Sequence, residues 1–171
     1  STACHRSVMA NKNERIITHI SNFRKVKRIP DIIKIFYNIQ KEIPAKLMMV
    51  GDGPEKEKAE SLCKDLGIQD KVIFFGNSNE IDKILSYTDL FLLPSETESF
   101  GLAALEAMAW SVPVISSYSG GLSDVNFDGI SGYLSDVGNT DEMAQNYLKI
   151  LKDDATLNKF KENALSVAKQ F

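Results

Sequence analysis

Six short apolar runs punctuate the chain: 15–20 (RIITHI), 45–50 (AKLMMV), 71–75 (KVIFF), 89–94 (DLFLLP), 112–116 (VPVIS) and 131–136 (SGYLSD). Each is too short for a buried helix and the right length for a strand covered on both faces. Between them the spacing turns helical. Ile32, Phe36, Ile39 and Ile43 stripe 31–43, a charged helix is expected over 55–66, a short one over 80–87, and an Ala-rich one over 101–110. Two amphipathic helices close the chain, one striped by Met143, Tyr147 and Leu151, the other by Leu157, Phe160, Ala164, Val167 and Phe171. Strands that alternate with helices are joined by crossovers, so they run parallel and the helices cover both faces. The expected fold class is α/β, a doubly wound, Rossmann-like parallel sheet. Residues 1–13 are polar and patternless and read as a linker or truncated end, which leaves 14–171 as the domain. No internal repeat interrupts it.

The remaining composition narrows the function classes. A net charge of −3 opposes general nucleic-acid binding by bulk charge. Cys4 and Cys63 lie far apart, with no metal-type spacing and no disulfide framework. No run reaches membrane-spanning length, and the first residues lack the apolar core of a signal peptide. The expectation is a soluble cytoplasmic protein with no membrane span, no nucleic-acid partner and no metal. A homo-oligomer is compatible with it.

A sheet of this kind takes ligands beyond the carboxyl ends of its strands. The loops to inspect are therefore 21–30, 51–55, 76–79, 94–100 and 117–121. Arg24, Lys25, Lys27 and Arg28 crowd the first, which suits a phosphate or pyrophosphate and equally describes a solvated basic loop. Pro94 to Gly101 follows a buried strand and opens a helix, whose free N–H groups favour an anion. Glu98 in that loop either satisfies the helix dipole or accepts hydrogen bonds from ligand hydroxyls. Glu106 is the only charge from Phe100 to Trp110 and falls on or beside the expected buried stripe. A carboxylate there needs a partner, either an internal cation or a ligand diol such as a ribose. Gly51-Asp52-Gly53-Pro54 reads as a tight turn, and Ser119-Gly120-Gly121 as a turn or a source of backbone donors. Neither a phosphate loop nor a dinucleotide fingerprint is present. His19 reads as a core or strand-end histidine. Trp110 and the phenylalanines read as packing.

Glu98-Ser99-Phe100-Gly101-Leu102-Ala103-Ala104-Leu105-Glu106 resembles the E-x7-E motif of retaining glycosyltransferases with the GT-B fold, the large family that includes sucrose and glycogen-type synthases. Gly51-Asp52-Gly53-Pro54, Pro113-Val114-Ile115 and Ser119-Gly120-Gly121 stand in the order that family uses. The resemblance covers nearly everything from Arg15 to Phe171. It implies the carboxyl-terminal, nucleotide-sugar half of such an enzyme, with an acceptor domain of similar size absent and the usual crossing helix not evident. His19 to Arg28, with Ser117 to Leu122, is similar to a smaller group that transfers N-acetylglucosamine from UDP to L-malate in bacillithiol biosynthesis. Most of the wider family has Gly-Arg where this chain has Ser21-Asn22, and Arg24 is the candidate to supply that charge.

The resemblance implies roles. Lys27, Arg24 and the helix start at Ser99, Phe100, Gly101 and Leu102 would stabilise the departing diphosphate without a metal or other cofactor. Glu98 would grip the sugar and Glu106 the ribose, with Asn22 beside the phosphates and Gly76 and Asn77 near the uracil. Arg24, Lys27 and Glu98 are the expected catalytic set. The expected partners are the donor UDP-GlcNAc and the acceptor L-malate. Two other readings stand beside this: a transferase of the same fold with another donor or acceptor, as in glycan or lipid glycosylation, and a non-catalytic α/β binding module.

Overall fold

The computed structural model describes residues 5–171. All six expected strands form: β1 Arg15–Ile20, β2 Ala45–Val50, β3 Val72–Gly76, β4 Leu90–Leu93, β5 Val114–Ser117 and β6 Gly132–Ser135. They pair in one parallel sheet ordered β3-β2-β1-β4-β5-β6. The chain builds outward from β1 in one direction, then returns to its other side at β4. The loops after β1 and β4 therefore diverge over a crevice at the centre of the carboxyl edge, the place where such sheets receive ligands.

Successive side chains of a strand point to opposite faces. Ile17, Leu47, Met49, Leu90, Leu92 and Ile115 pack on one side beneath α2 (Ile29–Gln40), α3 (Lys56–Asp65) and α7 (Thr140–Leu151). Phe91, Leu93 and Val114 pack on the other with α5 (Leu102–Ala109) and α6 (Leu122–Val125), and Ile16, Met48 and Val50 with α4 (Ile81–Ser86). The last helix, α8 (Asp154–Ala168), carries Leu157 and Phe160 into the first cluster and Ala164 and Val167 into the second. Arg15 at the start of β1 pairs with Asp154, and Lys161 lies 3.6 Å from Asp89. That ties α8 to the amino end of the central strands, opposite the crevice.

Three differences from the sequence reading are local. Residues 31–43 hold a helix, but it starts at Ile29, with Pro30 in its first turn where a missing N–H costs nothing, and ends at Gln40. Within 5–13, which carry no pattern, Arg6–Met9 form the helical turn α1. Arg6 donates to the carbonyls of Asn11 (2.9 Å) and Glu14 (2.6 Å), and Met9 and Ala10 pack against the cluster around Ile16. Phe171, placed in the apolar stripe of α8, lies beyond the helix and is exposed. Cys4 lies outside the described residues, whereas Cys63 is buried on α3.

Candidate functional site

The basic loop after β1 takes an unusual path. Phe23 (φ 47°) and Arg28 (φ 56°) both adopt left-handed backbone, and Lys25–Lys27 form a 3-10 turn between them. A phenylalanine in that region is a strained residue held by its surroundings. Phe23 is fully buried, and its carbonyl accepts the Glu55 N–H at 3.0 Å. Gly51 and Gly53 make this possible. A Cβ on Gly51 would stand 1.8 Å from the Ser21 carbonyl oxygen, and one on Gly53 2.0 Å from that of Asn22. The tight turn expected at Gly51-Asp52-Gly53-Pro54 is thus a cradle for the neighbouring loop.

The loop after β4 is held the same way from its other side. A Cβ on Gly120 would stand 1.7 Å from the Glu98 carbonyl oxygen, and that oxygen accepts the Gly121 N–H at 2.8 Å. Ser117 and Ser119 both donate to the Ser95 carbonyl, at 2.7 and 2.8 Å. The Gly121 N–H is therefore spent on Glu98 and positions that loop.

Across the crevice the two loops meet. The Lys27 ammonium donates to Glu98 Oε1 at 2.7 Å, and the Ser95 hydroxyl donates to the same oxygen at 3.0 Å. Both charged side chains are mostly buried, 18% and 13% exposed, so removing one partner costs more than at a surface pair. Next to it the Glu96 N–H donates to the Val26 carbonyl at 2.7 Å, and Arg28 pairs with Glu96 at 3.1 Å and with Asp31. These carboxylates push the Arg28 guanidinium pKa upward, Asp31 foremost. Arg28 thus fastens the loops, which leaves Arg24 and Lys25 exposed and in no ion pair among the described residues.

Beside the pair, α5 begins. Gly101 (φ 68°) turns the chain, no side chain caps the helix, and its first turn holds no acid. The first three N–H groups of α5 are unused by the helix, and they carry the positive end of its dipole. Ser99, Phe100 and Leu102 are exposed around this start. Asn22 is exposed on the facing loop, its side-chain oxygen 3.4 Å from the Arg24 N–H. Gly76 ends β3 and Asn77 follows it, two strands from β1, with the Gly76 carbonyl accepting the Gly51 N–H at 2.8 Å.

Glu106 departs from expectation. It is exposed and has no ion pair among the described residues. The buried stripe of α5 is Ala104, Ala107 and Met108, and Glu106 shares the opposite face with Leu102 and Trp110. Of the two partners expected for it, an internal cation is not present among the described residues. Phe100 (73% exposed) and Trp110 (42%) likewise do not pack as core residues.

His19, expected as a core or strand-end histidine, stands between the loops near the end of β1. It is fully buried, with Nδ1 2.8 Å from the Leu92 carbonyl oxygen and Nε2 2.7 Å from the Ser21 hydroxyl. Burial lowers its pKa to about 4, against the raising effect of the Leu92 bond and with a further lowering by Lys27. A cavity of about 500 Å³ lies between α3 and β3, but it is lined by Glu57, Glu60 and Phe74 and lies away from the crevice. No group of three His, Cys, Asp or Glu is arranged for a metal among the described residues, and no helix of the described chain is long and apolar enough to cross a membrane.

The sheet order and its helices match the carboxyl-terminal domains of GT-B glycosyltransferases. The family model "Glycosyl transferases group 1" matches residues 2–167, and the chain belongs to that family. It is 45% identical to N-acetyl-alpha-D-glucosaminyl L-malate synthase of Bacillus anthracis over 94% of its own length and 42% of that protein's. It is 30% identical to poly(glycerol-phosphate) alpha-glucosyltransferase of Bacillus subtilis, over 96% of this chain and 24% of that one. Among solved structures, S. aureus TarM, in complex with fondaparinux, alpha-GlcNAc-glycerol and UDP, superposes with a TM-score of 0.87 at 28% identity, over 94% of this chain and 34% of TarM. The chain spans less than half the length of these relatives.

Proposed function

We propose that residues 14–171 are the nucleotide-sugar donor domain of a retaining glycosyltransferase that moves N-acetylglucosamine from UDP-GlcNAc to the hydroxyl of L-malate, in bacillithiol biosynthesis. The observation that carries the donor site is the Lys27–Glu98 pair, drawn from two loops and set beside the uncapped start of α5. The choice of sugar and acceptor is supported by the 45% identity to the malate synthase of Bacillus anthracis. UDP as the nucleotude carrier is supported by TarM, which binds it.

As the glycosidic bond breaks, negative charge grows on the diphosphate. When the donor binds, Lys27 would exchange Glu98 for the diphosphate, joined by Arg24 and the N–H groups at the start of α5, so the stabilisation is oriented before the glycosidic bond breaks. Glu98, released from Lys27, would accept hydrogen bonds from the sugar hydroxyls and orient the anomeric carbon. Glu106, facing outward from the second turn of α5, would take the ribose diol. The mechanism invokes no metal. The departing phosphate would take the proton of the acceptor hydroxyl on the same face, which gives retention. The acceptor would be held mainly by another domain of a longer protein, so this chain alone is expected to bind UDP and turn nothing over.

Calorimetric titration of this chain with UDP, UDP-GlcNAc and ADP, without divalent metal, tests the donor site. Preference for the uridine ligands is expected, and preference for ADP would overturn the donor. Assay of the full-length protein with L-malate and a panel of donors then tests the transfer, and failure to glycosylate malate would move the protein to another acceptor class.

A further inference from the structure

The backbone pairing of β1 with β4 is recorded at Ile17–Leu90 and Thr18–Phe91. One residue further along each strand, the His19 side chain takes over the link. A carbonyl oxygen only accepts, so the 2.8 Å contact with Leu92 places the proton on Nδ1. Nε2 then accepts from the Ser21 hydroxyl at 2.7 Å, and the Ser21 oxygen accepts the Phe23 N–H at 3.2 Å. The ring stacks near those of Phe23 and Phe91, with centroids 6.2 and 6.5 Å away. The imidazole, through Ser21, thus joins the end of β4 just before Pro94, at the root of the Glu98 loop, to the left-handed Phe23, at the root of the Lys27 loop.

We propose that His19 is a positioning residue for the Lys27–Glu98 pair. Acting as donor to β4 and acceptor from Ser21, it fixes the offset between the two loops and so the approach of the lysine to the carboxylate. Only the neutral ring in the Nδ1–H form can do both. A buried histidine is ordinarily explained by packing, but this one spends both ring nitrogens on the two strands whose divergence forms the crevice. The consequence for nucleotide affinity rests on the donor site proposed above. The consequence for the pair does not.

The test therefore has one arm without ligand. Imidazole ¹⁵N spectra should report the Nδ1–H tautomer for His19, and the Nε2–H tautomer would overturn the proposal. The ¹³C carboxyl resonance of Glu98 should move in Ser21→Ala as it does in Lys27→Gln, and Ser21→Thr, which keeps the hydroxyl, should restore it. A Glu98 resonance that answers to Lys27→Gln but not to Ser21→Ala overturns the proposal, whether or not UDP binds. In the second arm, UDP affinity should fall about tenfold in Ser21→Ala and in His19→Asn, which keeps the donor to Leu92 and loses the acceptor. It should stay within about twofold in Ser21→Thr. The double variant should bind no worse than either single one, as expected of residues in one chain of hydrogen bonds. Failure of the wild-type chain to bind UDP counts against the donor site alone. Binding by the wild type with unchanged affinity in Ser21→Ala counts against His19. Ser21→Ala removes a single hydroxyl from a half-buried position, so the test survives if His19→Asn fails to fold.

Discussion

Replacing Gly120 with alanine separates two costs that glycine substitutions usually mix. Gly120 has φ +55°, and left-handed backbone costs alanine about 1 kcal/mol. The new Cβ would also stand 1.7 Å from the Glu98 carbonyl oxygen and 2.7 Å from its carbon, where real Cβ contacts begin near 3.0 Å. Gly120 and Glu98 must therefore part by more than an ångström. That breaks the 2.8 Å bond from the Gly121 N–H, worth about 1 kcal/mol, and displaces packed backbone for about 1 kcal/mol more. The sum is about 3 kcal/mol, or about 10 °C in Tm for a chain of this size. Gly129 supplies the control. Its φ is +75° and nothing lies within 4 Å of its Cβ, so Gly129→Ala pays the backbone cost alone, about 3 °C. Scanning calorimetry of both variants, with UDP titrations at a temperature where each is folded, completes the experiment. Gly120→Ala should also lose at least about tenfold in UDP affinity, because moving Glu98 disturbs its contact with Lys27. Equal melting temperatures for the two variants would refute the close-approach argument. A lowered Tm with unchanged affinity would show that the placement of Glu98 does not matter to the nucleotide.

Glu106→Gln should leave stability within about 0.5 kcal/mol, since the side chain is exposed, while weakening UDP binding about tenfold; unchanged affinity would remove Glu106 from the site. His19 titrates near pH 4 in the folded chain and near 6.5 unfolded. The unfolded state therefore binds the extra proton between those values. A stabilisation on the order of 3 kcal/mol, full above pH 6.5, is lost as pH falls toward 4. Urea unfolding at pH 7 and pH 4.5 measures it, and His19→Asn should flatten the difference. Burial, with help from the Glu60 carboxylate, raises the Cys63 thiol to about pKa 11. In a Cys4→Ser background, Cys63 should react with a disulfide reagent at pH 8 only as fast as the protein unfolds; rapid labelling of folded protein would contradict its placement on the inner face of α3.

The sheet was legible because each strand is a short apolar run ended by a breaker, a local property. The central position of β1 followed from no single residue, but the alternation left few other arrangements. Lys27 and Glu98 were each legible as charges in strand-end loops. Their contact was not, because 71 residues separate them and no local pattern encodes a meeting across a crevice. Arg28 and Lys27 are adjacent and alike in sequence; only the left-handed backbone at Arg28 turns one toward Asp31 and Glu96 and the other toward Glu98. Glu106 falls on or beside the buried stripe only if Leu102 faces inward; Leu102 is exposed, and an Ala-rich helix gives periodicity little to work with. The glycines at 51, 53, 120 and 121 looked like turns, since close approach of another backbone leaves no mark on the sequence around them.

The pairing of Lys27 with Glu98, and of Arg28 with Glu96 and Asp31, has a kinetic side. These carboxylates leave the centre of the crevice with no surplus positive charge, and the uncompensated charge of the basic loop sits on its rim, at Arg24 and Lys25. An approaching dianion feels the rim first, through water, where added salt screens it within about 10 Å. At the proposed donor site it would meet Lys27 only after entering and displacing the carboxylate, where salt reaches poorly. At the proposed donor site, capture would therefore begin at Arg24 and Lys25, and retention would depend further on Lys27. Ionic strength should slow the arrival of an anionic ligand and leave its residence time almost untouched.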